Sequence, residues 1–281
     1  MDTASLRIAA EPPTTADGRA LIAESQALLE SVFPADGIFT LTAEEMAAEA
    51  EAFLVARDEA GAALGCIGLV AGADADGPYA EVKRLMVRPA ARGRGAGRAL
   101  MAAFEAEARR LDLPVARIET GPDLPEALTL YRRLGYRETG PFGSYAPHPS
   151  SIFMARRLIR TGRCLCGQLR YRADGPVLWQ MHCHCESCRR ATSSPMTTYF
   201  DVADGGWRWT GAAPAVHASS PGVERFFCPT CGSPMAYRSD AAAEMHFLAC
   251  TLDDPRDVQP EGHDFWEERL PWLLLADDLP R

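Results

Sequence analysis

Apolar and polar positions along this chain follow two rhythms, and the change comes near residue 160. In the first part, helix-length stretches alternate with short apolar blocks. Leu6–Ala9 reads as a short strand, and Gly18–Val32 and Thr42–Ala50 read as helices. The second helix is opened by Thr42 with Glu45 three residues on, the signature of a capping box. Phe53–Ala56 and Leu64–Val70 read as strands joined through Asp58-Glu59-Ala60-Gly61, which has turn chemistry. A strand over Ala80–Val87 runs into an Arg/Gly-rich loop and then a helix whose apolar face is Leu100, Phe104, Ala108 and Leu111. Beyond residue 162 the helical period disappears. Short runs such as Leu169–Tyr171, Met196–Val202, Trp207–Trp209 and Met245–Cys250 predict strands. The pattern therefore predicts an α/β or α+β domain over residues 1–160 and a mainly β domain over 161–281.

Composition refines this picture. With 281 residues, 47% of them apolar, each part can bury a core of its own. The formal net charge of -9 opposes a general role on nucleic acid or an anionic membrane, since bulk repulsion would have to be overcome locally. Small-molecule partners fit better. The start, Met1-Asp2-Thr3-Ala4-Ser5, lacks the cationic and apolar segments of a signal peptide, and no apolar run has the length of a membrane span, so the expected location is the cytoplasm.

Cysteines carry the densest chemistry. His182-Cys183-His184-Cys185-Glu186-Ser187-Cys188 crowds three thiols together, with Cys164-Leu165-Cys166 upstream and Cys228-Pro229-Thr230-Cys231 downstream. Thiolates this close repel one another unless a soft cation neutralises them, and zinc is the usual one. Seven of the nine cysteines fall into these groups, which divides naturally into a closed four-ligand site and a three-ligand site with one open position. The other two, Cys66 and Cys250, sit in apolar strand runs and are read as core residues.

The loop after Val87 reads Arg88-Pro89-Ala90-Ala91-Arg92-Gly93-Arg94-Gly95-Ala96-Gly97-Arg98. Strand, glycine loop and helix make an anion cradle. Glycines allow close backbone approach, and the first-turn amides, reinforced by the macrodipole, point at the ligand. Arg84, Arg88, Arg92, Arg94 and Arg98 add positive charge nearby. The motif is neither a Walker loop nor the dinucleotide GxGxxG pattern. It resembles the Arg-x-x-Gly-x-Gly signature of the GNAT acetyltransferase superfamily, carried by Arg92, Gly95 and Gly97. Ala116–Thr120 resembles that family's next strand, Pro125–Tyr136 the following helix and turn, and Ser151–Met154 the closing strand; Asp123-Leu124-Pro125 stands where the family often has asparagine. The resemblance implies an α+β domain with a mixed, mostly antiparallel sheet splayed in the middle and flanked by helices. It also implies that acetyl-CoA lies against Leu85, Met86, Val87, Arg92, Gly93, Arg94, Gly95, Ala96, Gly97 and Arg98, with an amine as acceptor. An aliphatic ammonium must lose a proton before it attacks, and Glu81 is the candidate base. The resemblance makes Tyr131 the acid that protonates the departing CoA thiolate. The acceptor loops Pro34–Leu41 and Gly140–Pro149 carry no signature.

The thiol groups, with Gly167, Gly232-Ser233 and Thr251-Leu252-Asp253-Asp254, resemble the glutathione-dependent formaldehyde-activating (GFA) family. That resemblance implies a structural zinc on Cys164, Cys166, Cys228 and Cys231, and an open one on Cys183, Cys185 and Cys188. Two zinc ions and carbon–sulfur lyase chemistry on an adduct of glutathione or another thiol follow from it. A rival reading keeps the acetyltransferase and makes the zinc domain a non-catalytic binding or stabilising module. Ala191-Thr192-Ser193 departs from the family's Ala-Ser-Gly after the third ligand.

Overall fold

Each element of the first part is set by a local device. Residues 6–256 and 258–281 are described by the structure, a computed structural model, and for Asp36 only the backbone; the amino-terminal reading of Met1–Ser5 falls outside these residues. The chain divides into two units, Met1–Leu158 and Ile159–Arg281. In the first, β1 (Arg7–Ala10) leads to α1 (Ala16–Val32), whose N-cap Thr15 accepts a hydrogen bond from the Gly18 amide. The short helix α2 (Ala43–Glu49) is opened by the expected box, with Thr42 and Glu45 each bonding the other's backbone N–H. Asp58 closes the turn between β2 (Ala50–Arg57) and β3 (Ala63–Asp74) by accepting from the Ala62 and Gly61 amides. There follow β4 (Gly77–Val87), α3 (Ala96–Arg110), β5 (Val115–Thr120), α4 (Pro125–Arg133), β6 (Arg137–Thr139) and β7 (Ile152–Arg157).

These strands form one sheet in the order β1-β2-β3-β4-β5-β7-β6. Only β4 and β5 are parallel neighbours, and they pair over just three positions, Ala80–Val82 with Ala116–Ile118. Beyond Val82 they diverge. A bulge accompanies the divergence: the β3–β4 register shifts between Cys66 and Gly68, and Arg84 takes the left-handed conformation at φ 54°. Helix α3 covers the sheet with Leu100, Met101, Phe104 and Ala108. Leu111, expected on that face, is instead the helix C-cap and only half-buried; Met101 fills the stripe. Each large side chain so buried contributes about 1.5–3 kcal/mol.

The second unit is mainly β. Its strands are β8 (Arg160–Arg163), β9 (Arg170–Ala173), β10 (Val177–Cys183), β11 (Thr197–Ala203), β12 (Trp207–Trp209), β13 (Ala215–Ser220), β14 (Val223–Phe227), β15 (Pro234–Ser239), β16 (Glu244–Leu248) and β17 (His263–Asp264), with α5 (Glu186–Thr192) between β10 and β11. A sheet ordered β13-β14-β15-β16-β11-β10-β17 packs against the three-stranded sheet β12-β9-β8. One face of the larger sheet, with Phe200, Val202, Met245 and Phe247, forms the core with Tyr171, Trp207 and Trp209. Because side chains alternate, the other face of β11 and β16 carries Tyr199, Asp201, His246 and Leu248. The expected strand Met245–Cys250 stops at Leu248. The 3-10 turn Ala249–Thr251 buries Ala249 and leaves Cys250 exposed, which corrects its reading as core. Among the described residues no helix is long and apolar enough to cross a membrane.

Candidate active site and thiolate centres

The divergence of β4 from β5 opens a cavity of about 820 Å³. Past Val82, the edge of β4 that faces β5 has no ladder partner, so its backbone groups are available to a ligand. Leu85, Met86 and Val87 line this edge, and Arg92, Gly93, Gly95, Ala96, Gly97 and Arg98 line one end of the cavity. Arg94 is exposed and lies off the cavity wall. Gly93 and Gly95 turn the loop at φ 73° and 85°, in the left-handed region that favours glycine. Gly95 is the N-cap of α3 and no side chain caps the helix, so its first-turn amides are not taken by one.

Two of the five arginines expected around the cradle are committed elsewhere. Arg84, buried by the bulge, donates to the Leu41 carbonyl and to Gln26 Oε1. Arg88 is held by Glu24 and the Ala63 carbonyl. A guanidinium with several donors bonded this way cannot also reach an anion in the loop. The cationic contribution to the cradle therefore comes from Arg92 and Arg98 on its wall.

Glu81 lies deep in the cavity and is not a solvated strand-end carboxylate, because its strand begins four residues earlier at Gly77. It is 8% exposed, accepts a 2.6 Å hydrogen bond from Tyr145 Oη and pairs with Lys83 Nζ at 2.8 Å. Lys83 also donates to Tyr145 Oη. Across the splay stands Glu119, which sequence reasoning passed over. It accepts from Ser151 Oγ at 2.7 Å, and burial pushes its carboxyl up to about 6. Tyr131, 4% exposed on α4, lines the same cavity; burial, then the nearby Glu119, pushes its phenol up, so it carries its proton at neutral pH. Cys66 is fully buried, and burial pushes its thiol up to about 12, which leaves it inert. A second cavity of about 560 Å³ meets the first at Phe39, Glu81, Lys83 and Tyr145 and extends to Tyr79 and His148. Phe39 packs edge-on to Tyr145 at 5.6 Å and to His148 at 6.1 Å, so both featureless loops supply its aromatic wall.

In the second unit, tight turns present two thiol groups to one point. Cys164 sits just after β8 in a β-turn closed by the Gly167 amide on its carbonyl, and the Gly232 amide closes a turn one residue wider on the Cys228 carbonyl. Sγ separations are 3.4 Å for Cys164–Cys166 and 3.7 Å for Cys166–Cys228, and all four thiols, Cys231 included, lie within 4.8 Å of one another. Four sulfurs about 2.3 Å from one zinc lie roughly 3.8 Å apart, so the set fits a tetrahedral ion. Ser233 Oγ braces it, accepting from the Leu165 amide and meeting Cys231 Sγ at 3.2 Å.

Cys183 ends β10, Cys185 is the N-cap of α5, and Cys188 lies in its first turn; their sulfurs also fall within 4.8 Å. Three thiols this close do not ionise independently. Hydrogen bonds from Cys183 and Cys185 hold Cys188 far below an ordinary thiol, with Tyr199 and Arg225 assisting, while Cys185 and Cys188, with burial, push Cys183 up. Such a set suits a cation with one position left for another ligand. Alternation along β10 sends His182 away from Cys183, and His184 follows the end of the strand. His182 Nδ1 meets Thr198 Oγ1 and His184 Nε2 meets His263 Nδ1, both at 2.8 Å. Ser193, in place of the family glycine, caps α5 in the left-handed region at φ 52°.

Comparison with known proteins bears on both units. Residues 49–138 match the acetyltransferase (GNAT) domain family, and residues 159–268 match the glutathione-dependent formaldehyde-activating enzyme family. The chain is 39% identical over 154 residues to an IAA acetyltransferase of Azospirillum brasilense, covering 55% of this chain and 99% of that protein. It is 37% identical over 102 residues to an uncharacterized N-acetyltransferase of Schizosaccharomyces pombe, 36% of this chain and 60% of that one. Among solved structures, a GCN5-related N-acetyltransferase from Kribbella flavida is 24% identical, with a TM-score of 0.43 over 54% of this chain and 98% of its own. Near-complete coverage of a 39% identical acetyltransferase, with the GFA match following on the same chain, identifies the protein as a member of the GNAT acetyltransferase family that carries a GFA domain.

Proposed function

We propose that residues 1–160 transfer the acetyl group of acetyl-CoA to an amine, and that residues 161–281 form a two-zinc unit with carbon–sulfur lyase activity on a thiol adduct. The observation that carries the first reading is the single cavity running from the α3 amides, past the unpaired edge of β4, to two carboxylates and a protonated tyrosine. In this reading the loop amides with Arg92 and Arg98 hold the pyrophosphate, and Leu85, Met86 and Val87 contact the pantetheine arm. The acceptor enters between Phe39, Tyr145 and His148. Glu119 takes the ammonium proton, the amine nitrogen attacks the thioester carbonyl, the C–S bond breaks as Tyr131 gives its proton to the leaving thiolate, and the second proton on nitrogen returns to the Tyr131 phenolate. Glu119 is preferred to Glu81 as the base because Glu81 is held by Lys83 and Tyr145, whereas Glu119 accepts one hydroxyl and keeps its proton up to about pH 6.

Two measurements test this, with IAA, named in the Azospirillum relative, and primary amines as first acceptors. A base works only when deprotonated, so kcat/KM should climb as pH rises through about 6 and level off above it. Glu119→Gln should lower the rate and abolish this limb, while Glu81→Gln should retain it; loss of the limb in Glu81→Gln alone would return the role to Glu81. Tyr131→Phe should cut kcat roughly 100-fold with little change in acetyl-CoA affinity, since a leaving-group acid acts in the transition state. A wild-type rate in Tyr131→Phe across pH would remove that assignment.

For the second unit, Cys164, Cys166, Cys228 and Cys231 would hold a structural zinc and Cys183, Cys185 and Cys188 an open one. A zinc bound at the three thiolates would supply a soft contact for a substrate sulfur and Lewis acidity. Tyr199 and Arg225 stand beside Cys188 and would orient the adduct of glutathione or another thiol. The test is consumption of S-hydroxymethylglutathione by the full chain; no turnover by zinc-replete protein would favour the stabilising-module reading. Cytoplasmic location is part of the same proposal, since free clustered thiols need a reducing compartment.

A further inference from the structure

A third donor cluster lies on the polar face of the larger sheet in the second unit, away from all seven clustered cysteines in sequence. Strand pairing sets Asp201 of β11 directly opposite His246 of β16, and Glu244 is two residues before His246 on the same face. Asp201 is fully buried and His246 is 4% exposed. Asp201 Oδ2 and His246 Nδ1 are 2.8 Å apart, but the contact lacks hydrogen-bond geometry, and both Asp201 oxygens and that nitrogen are buried without a hydrogen-bond partner. Glu244 Oε1 is 4.0 Å from the other ring nitrogen, His246 Nε2, and accepts from Trp179 Nε1 at 3.4 Å. One donor atom from each of the three residues falls within 4.8 Å of the others. Tyr237 stacks flat on the imidazole at 4.1 Å and fixes its plane.

We propose that Asp201, Glu244 and His246 form a third metal site, which takes a divalent transition-metal ion through one imidazole nitrogen and two carboxylates. Three observations converge on it. A buried carboxylate with neither oxygen bonded is costly, and a cation satisfies both oxygens at once. Two ligands of one ion, each about 2.0–2.2 Å from it, approach each other to about 3 Å without a hydrogen bond between them, and Oδ2 and Nδ1 stand in that relation. With a neutral imidazole the two carboxylates carry two negative charges, which a divalent ion balances. An empty site leaves the alternative of a proton, and burial does push the Asp201 carboxyl up to about 6; a proton shared between Oδ2 and Nδ1 would, however, still leave the buried Oδ1 without a partner. The donor set contains no thiolate, so the site is chemically distinct from the two cysteine centres and ties β11 to β16 independently of them.

The test reads a difference in metal content, so it is separable from the fate of the cysteine sites. Full-chain protein is saturated with zinc, passed over a desalting column with a competing chelator at several concentrations, and its bound zinc counted by native mass spectrometry. The parent should carry one equivalent more than Glu244→Gln and one more than Asp201→Asn, whatever the total. Glu244 is the more accessible of the two carboxylates, so its variant decides the matter if Asp201→Asn does not fold. Equal zinc content in the parent and folded Glu244→Gln at every chelator concentration would overturn the site.

Discussion

Cys228→Ser is expected to unfold the second unit, leaving a soluble first unit attached to an aggregation-prone chain. Cys228, the residue after β14, is buried, and its sulfur is one of four that converge within 4.8 Å. Binding of a structural zinc by such a set is worth about 10–16 kcal/mol, and a domain of ordinary size is stable by only about 5–15 kcal/mol. Loss of one thiolate therefore removes a contribution as large as the whole margin. Cys185→Ser should behave differently, because it takes a half-exposed ligand from a three-thiolate set seated on the α5 N-cap, outside the main apolar core. Thermal melting with zinc counting should show collapse of the second transition for Cys228→Ser and near-parental melting, one zinc fewer, for Cys185→Ser. Equal destabilisation by both would mean that the two centres share one structural role and would leave the lyase reading without support.

Gly95→Glu is expected to abolish acetyl-CoA binding while the first unit stays folded. A Cβ at this position meets no heavy atom within 4 Å, so no steric clash disrupts the fold. The residue sits at φ 85°, where a side chain costs about 1–2 kcal/mol. The carboxylate would lie over the α3 amides that are proposed to hold the pyrophosphate. Two like charges about 4 Å apart near a protein surface repel by about 4 kcal/mol, close to three decades of affinity at about 1.4 kcal/mol each. Gly95→Ala carries the strain without the charge and should bind only modestly more weakly. Calorimetry with acetyl-CoA on both variants separates the two effects; unchanged affinity in Gly95→Glu would move the pyrophosphate elsewhere.

Local spacing makes much of this protein legible in its sequence. The capping box at Thr42 and Glu45, the turn at Asp58–Gly61 and the loop from Arg92 to Arg98 each depend on neighbours within a few residues, and each takes the form its residues suggest. Within each thiol group the CxC or CxxC spacing is equally local, but Cys164 and Cys166 meet Cys228 and Cys231 only through the fold, as the resemblance implies. The misread positions depend on where an element stops or bends. Cys250 follows an apolar run that looks like continuous strand, and only the turn after Leu248 exposes it. Arg84 and Arg88 are near the cradle in sequence, but the bulge in β4 and the position of α1 give them to Leu41, Gln26 and Glu24.

By itself the sequence determined the strand–loop–helix cradle, the clustering of seven thiols and the change from a mixed to a mainly β unit, because these rest on periodicity and short-range chemistry. Tertiary structure alone decided the surroundings of each carboxylate and which residues meet across strands. Glu119 acquires its raised carboxyl from burial in the splay between β4 and β5, and Glu81 loses its freedom to Lys83 and Tyr145, the latter 64 residues away. Asp201 meets His246 through the register of β11 on β16, and a one-residue slip would turn each to the opposite face. Register and burial are properties of the packed sheet, so no window of sequence contains them.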